Sequence, residues 1–196
     1  MTDRRRHDLA ADAVAAAFAA HPRTGFLRPA ERAEAAHDGP LPIGCGQTNS
    51  QPRTVAAMLR LLELVPGQRV LDVGAGSGWS TALLAHRVGP IGAVLGVERE
   101  PELVRFGQGN LAAKAQPWAR IVAAEPGVLG LPHAAPFDRI LVSAEAEALP
   151  QALVEQLREG GLMVIPVAGV MRRVRRRQGG QAEVSEHGDY AFVPLR

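Results

Sequence analysis

Asp72, Gly74, Gly76 and Gly78 alternate along the run Val70-Leu-Asp-Val-Gly-Ala-Gly-Ser-Gly78. Each glycine permits a left-handed backbone or a close ligand approach that a Cβ would block. A helical pattern starts near Trp79, and the first N–H groups of such a helix point back at the turn. Glu98 follows at the end of the next apolar run, near the ~20-residue offset of an acid that binds ribose hydroxyls. Its two oxygens suit two vicinal hydroxyls. The simpler alternative is a Glu that merely ends a strand beside Arg99-Glu100. Its place after an acid and three alternating glycines favours a nucleotide-type cofactor site.

The elements around this turn alternate. Strands are expected at Arg69–Val73, Ala93–Glu98, Arg120–Ala123, Asp138–Ser143 and Leu162–Val167. Helices are expected at Trp79–Val88, Pro101–Ala115 and Pro150–Arg158, the last closed by Gly160-Gly161 in the usual C-terminal manner. Val55, Met58, Leu59 and Leu62 share one face of a helix that starts near Gln51, with Ser50 as its N-cap. Leu9–Ala20 reads as an amphipathic helix stopped by Pro22, with Val14 and Phe18 one turn apart. Residues 21–50, rich in Pro and Gly, read as an irregular arm. A final hairpin is expected to pair Met171–Arg177 with Tyr190–Leu195. The pattern predicts an α/β fold: a Rossmann-like, doubly wound, mostly parallel sheet with a C-terminal antiparallel edge hairpin.

Length and composition narrow the classes. At 196 residues the chain fits one domain, 1–196, divided into an arm (1–50) and an α/β core (51–196). The net charge of +2 gives no global field for nucleic acid. The run Arg172-Arg-Val-Arg-Arg-Arg177 is read as a charged edge strand, since no aromatics interleave it. Arg4, Arg5 and Arg6 ahead of the Ala-rich stretch resemble a signal peptide, but Asp8 and Asp12 interrupt that segment. The expectation is a cytoplasmic monomer without membrane or nucleic-acid partners. His7, His21, His37, His86, His133 and His187 are scattered without ligand spacing, so no metal site is expected. Cys45, the only cysteine, reads as a small filler, and Trp79 as packing.

The spacing Asp72-x-Gly74-x-Gly76-x-Gly78 misses the G-x-G-x-x-G of NAD folds. It resembles the first motif of class I S-adenosylmethionine-dependent methyltransferases. That cofactor has no pyrophosphate; its methionine end brings an ammonium and a carboxylate. A second stretch, Pro40-Leu-Pro-Ile-Gly-Cys-Gly-Gln-Thr-Asn-Ser-Gln-Pro52, resembles the substrate-side motif of protein-L-isoaspartate O-methyltransferases. His21–Leu27, Val70–Ala85, Ala135–Val142, Gln156–Gly161, Val164–Val167 and Phe192–Leu195 resemble other parts of that family, in order. The resemblance implies methyl transfer from S-adenosyl-L-methionine to the free carboxylate of isoaspartyl residues in damaged proteins. It implies Ser50 at the active centre, Thr48, Asn49 and Arg53 on the substrate side, and Asp72, Gly74, Gly76, Ser77, Gly78, Glu98 and Glu125 around the cofactor. Asp72 is expected near the ammonium. The acceptor is already ionised at neutral pH, so no strong base is needed; positioning and water exclusion carry the rate.

Three departures stand out. The family usually has an aliphatic residue where Asn49 stands. It often has an aromatic residue or His in place of Arg53, which either meets an acidic substrate or is solvated. It commonly has Gly-Asp-Gly where Glu125-Pro126-Gly127 lies. Two other readings therefore stay open: a carboxyl methyltransferase for another peptide or small molecule, and a cofactor-binding relative without catalysis.

Overall fold

Arg69–Val73 is a short aliphatic run in which every residue after Arg69 is buried. Such a strand belongs at the centre of a parallel sheet covered on both faces. In the computed structural model, which describes residues 13–195, this strand is β3. It pairs in parallel with β4 (Ala93–Glu98) and β6 (Phe137–Val142). β5 (Ala119–Ala123) extends the β4 side. β7 (Leu157–Val167), β8 (Val170–Arg176) and β9 (Ala182–Asp189) extend the other, the last two antiparallel. The order is β5-β4-β3-β6-β7-β8-β9. A two-stranded hairpin, β1 (Leu41–Gly44) and β2 (Gln47–Asn49), stands apart.

Alternating strand residues feed two cores. Val70, Val94, Leu141 and Val164 meet α1 (residues 13–20), α2 (Pro52–Leu61), α3 (Trp79–Val88) and α4 (Pro101–Ala112) on one face. Leu71, Val97, Ile140 and Met163 meet α5 (Gln151–Val154), Leu131 and Phe137 on the other. Chain order reverses between β4 and β6 on either side of β3. Ligands of open α/β sheets bind at the strand carboxyl ends beside such a point.

The doubly wound sheet, β3, α3 and β4 agree with the sequence reading. Four local expectations need correction. First, the arm is partly regular: two 3-10 turns, Arg23–Phe26 and Pro29–Glu34, precede the β1–β2 hairpin. Second, the helix expected over Pro150–Arg158 is only α5, and β7 has already begun at Leu157. Gly160-Gly161 does not close a helix. Phe137 faces Leu157 and Arg139 faces Leu162, so β7 bulges across the glycines, with Gly160 at φ 74°. Third, β8 pairs with Ala182–Asp189, and 190–195 instead runs beside Glu145, with its Val193 and Leu195 bonded to that residue's backbone. Fourth, Ser50 does not cap α2. The Arg53 amide donates to Asp38 Oδ1 at 3.1 Å, and Pro52 has no amide to offer. Of the helix expected at Leu9–Ala20, residues 9–12 lie outside the described residues and 13–20 are helical.

Candidate active site

The β3–α3 turn takes its shape from its glycines. Gly74, Gly76 and Gly78 have φ of 80°, 52° and 83°, the left-handed region that other residues rarely enter. The amides of Gly74 and Ala75 both donate to Val97 O, at 2.9 and 3.1 Å, which ties the turn to β4. A Cβ at Gly78 would stand 3.0 Å from Gly107 O. A Cβ at Gly107 would stand 2.8 Å from Gly76 O. α4 therefore packs backbone to backbone on the turn. Gly107 is a supporting position that the sequence reading missed, because nothing in its own helical surroundings marks it.

Glu98 lies where β4 ends, 6 % exposed, and faces the cleft. Its Oε2 accepts from the Gly76 amide at 2.9 Å, and its Oε1 from the Arg99 and Glu100 amides at 2.7 and 3.0 Å. Three backbone donors thus fix the carboxylate before any ligand arrives.

Asp72 is expected near the ammonium of the cofactor. It is fully buried beneath the turn and does not line the cleft. Its Oδ2 accepts from Ser80 Oγ at 2.7 Å and Thr81 Oγ1 at 2.6 Å, anchoring the start of α3. Its Oδ1 is buried without a donor among the described residues. Burial raises its carboxyl to about 6; the hydroxyls of Thr81 and Ser80 oppose that rise, and the charge of Glu98 adds to it.

The substrate-side arm meets this turn in one cleft. Thr48, Asn49, Ser50, Gly74, Ser77 and Glu98 all line it. The meeting is organised by Arg23, which the sequence reading did not single out. Arg23 is 5 % exposed. It donates to the carbonyls of His37 at 2.9 Å, Gly39 at 2.8 Å, Asn49 at 2.8 Å and Ser50 at 3.0 Å, and to Asn49 Oδ1 at 2.6 Å. Its guanidinium also lies 5.6 Å from the Trp79 ring centroid. Burial lowers the Arg23 pKa from its ordinary value. One cation thereby clamps both ends of the hairpin that carries Thr48 and Asn49.

The other expected site residues divide. Ser77 is buried and its Oγ accepts from Asn49 Nδ2 at 3.0 Å. Asn49 is buried too, with its amide engaged at both ends, so its side chain is not turned to solvent as a substrate donor. Thr48 is exposed and Ser50 half-buried at the cleft. Arg53 stands outside the cleft lining and pairs with Asp38 in this same chain. Glu125 is exposed and also outside the lining; Ala124, Val128 and Leu129 form that wall instead. Trp79 does pack, 5.2 Å from Phe18 between ring centroids, with Nε1 donating to His21 O, and it also reaches the cleft wall. Cys45 is exposed at the β1–β2 tip rather than filling a core.

The residues fit an adenosyl amino-acid cofactor. A left-handed glycine turn leaves backbone open to close approach, a fixed carboxylate suits a diol, and a buried acceptor, Asp72 Oδ1, lies beneath the turn. A family model for protein-L-isoaspartate(D-aspartate) O-methyltransferase matches residues 1–196. A protein-L-isoaspartate O-methyltransferase of Methanopyrus kandleri is 45% identical over 186 residues, covering 93% of this chain and 82% of that protein. One from Methylorubrum populi is 44% identical over 178 residues, covering 88% and 81%. A Plasmodium falciparum chain solved as a protein-L-isoaspartate O-methyltransferase in complex with S-adenosyl-L-homocysteine matches with a TM-score of 0.84 at 28% identity, over 94% of this chain and 90% of that one.

Proposed function

Because the chain belongs to the protein-L-isoaspartate(D-aspartate) O-methyltransferase family, we propose that its cleft methylates the free carboxylate of isoaspartyl residues in damaged proteins. One observation supports this reading above the rest: Thr48 and Ser50 of the arm share a single cleft with Gly74, Gly76 and Glu98 of the cofactor turn. When bound, S-adenosyl-L-methionine supplies a methyl group on a sulfonium, which a carboxylate oxygen takes as the sulfonium charge disappears.

The chain's own residues bind and orient. Glu98 holds the ribose hydroxyls, preorganised by its three backbone donors. Gly74 and Gly76 let the backbone approach the amino-acid end. Ser77 offers its hydroxyl there, and Gly78 allows the turn to pack under α4. Asp72 acts from beneath, through Ser80 and Thr81. Ser50 donates its hydroxyl to one acceptor oxygen and leaves the other to attack, and the carbonyl bond from Arg23 fixes its backbone. Thr48 shapes the same wall. No side chain removes a proton, because the acceptor is ionised already at neutral pH.

The enzyme is read as one methyltransferase domain, a cytoplasmic monomer whose partners are isoaspartyl-containing proteins, with no nucleic-acid or membrane partner. No helix among the described residues is long and apolar enough to cross a membrane. The test is a matched peptide pair, one isoaspartyl and one aspartyl, incubated with labelled S-adenosyl-L-methionine. Label should enter the isoaspartyl peptide as a base-labile ester and leave its twin blank. Equal labelling of both, or none, defeats the reading.

A further inference from the structure

Arg23, Asn49 and Ser77 form a series of donors that all run one way. Guanidinium has donors only, so Asn49 must turn its amide oxygen to Arg23, at 2.6 Å, and its nitrogen to Ser77. That nitrogen donates to Ser77 Oγ at 3.0 Å. The Ser77 oxygen is therefore an acceptor here, and its proton has no acceptor among the described residues. Ser77 is 2 % exposed and lines the cleft. The hydroxyl is thus free to turn its proton towards what the cleft holds.

The buried cation at the head of the series is hydrogen-bonded to no carboxylate among the described residues; its five acceptors are neutral, and Asp38 acts on it only through its charge. Hydrogen bonds in sequence polarise one another, most strongly where water is excluded. A hydroxyl that already accepts from a polarised amide donates better, and best to an anion.

We propose that Arg23 and Asn49 polarise the Ser77 hydroxyl towards the carboxylate of the cofactor's amino-acid end. Asn49 is then a positioning residue for the cofactor. It also fixes the register between the acceptor arm and the glycine turn, since the same amide belongs to β2. This rests on the reading that an adenosyl amino-acid cofactor lodges at the glycine turn.

The decisive variant is Asn49→Asp. It keeps an acceptor for Arg23 but replaces the donor facing Ser77 with a second acceptor, so the Ser77 proton turns away from the cleft. Titration calorimetry compares S-adenosyl-L-homocysteine with 5′-methylthioadenosine, which retains adenosine and thioether but lacks the amino-acid end. The expected result is a loss of about tenfold or more for the first ligand, the scale of one hydrogen bond to a charged group. The second should stay within about twofold. Ser77→Ala should show the same selective loss, and the double variant no further loss. Asn49→Leu, which removes the donor without offering Ser77 an acceptor, should give a smaller selective loss and replaces the Asp variant if that chain does not fold. Parallel weakening of both ligands, or no weakening of either, overturns the relay while leaving the cofactor site intact. A wild-type chain that binds neither ligand overturns the site and the relay together.

Discussion

Asp72 carries a cost that the glycine turn imposes on it. Its carboxyl is raised to about 6, chiefly by burial. Unfolded, it titrates near its ordinary value of ~3.9. Between those values the folded chain holds the proton more tightly than the unfolded chain does. Its contribution to stability is therefore full below about pH 4 and is lost as pH rises through about 6. The change is at most about 3 kcal/mol. Denaturant unfolding of wild type and Asp72→Asn from pH 4 to pH 7 checks this: wild type should lose stability relative to the variant as pH rises, and a flat difference refutes it. For Ser50→Ala, turnover on an isoaspartyl peptide should fall about tenfold, the worth of one charged hydrogen bond. Calorimetric affinity for S-adenosyl-L-homocysteine should stay within about twofold. Glu98 and the glycines were legible because their chemistry sits in their spacing. Asn49 was not. Its partners, Arg23 and Ser77, lie 26 and 28 positions away, so a polar residue in a substrate motif looked free to meet substrate when it was already engaged.

Two glycines of α4 separate packing from propensity. Gly107 has no room for a methyl: a Cβ there would stand 2.7 Å from Ile121 Cδ1 and 2.8 Å from Gly76 O. Gly107→Ala must push the turn, at a cost of roughly 1–3 kcal/mol. It should also weaken S-adenosyl-L-homocysteine binding, although Gly107 is not among the residues lining the cleft. Gly109, two residues on, has nothing within 4 Å of its built Cβ. Gly109→Ala should raise stability by about 0.5–1 kcal/mol, since Gly is a poor helix former, and leave affinity alone. Thermal melting and calorimetry on the pair check both statements. At this scale the strand–helix alternation around β3 was legible from buried apolar runs. The stretch 150–161 was not. Its leucines suit a helix, but Leu157 already pairs with Phe137, and a double glycine serves a strand bulge as well as a helix end. The last hairpin was misread for a related reason. β9 is mostly exposed and polar, so it carries no alternating apolar signal, while the more apolar 190–195 is held by Glu145 beside the cleft.

The charge pattern of the whole molecule looks different once folded. The arginines of β8, with Arg177 just after it, are engaged within the chain: Arg172, Arg173 and Arg177 pair with Glu186, Glu63 and Glu183. Arg175 and Arg176 donate to the carbonyls of Gly160, Glu155 and Leu157. With the formal net charge at +2, little positive field is left for a polyanion. Gel-shift titration with duplex DNA at ~150 mM salt should retain no complex at micromolar protein, where non-specific binders with Kd of about 10⁻⁴–10⁻⁶ M begin to show. The arm has ion pairs too, Arg28 with Glu102 and Asp38 with Arg53, but its buried clasp works on another principle. Arg23 never discharges near neutrality, and the carbonyls around it bear no net charge to be screened. That clasp should therefore withstand mild acid and brine better than the surface pairs Arg28–Glu102 and Arg53–Asp38, so the wall it fastens outlasts the contacts around it.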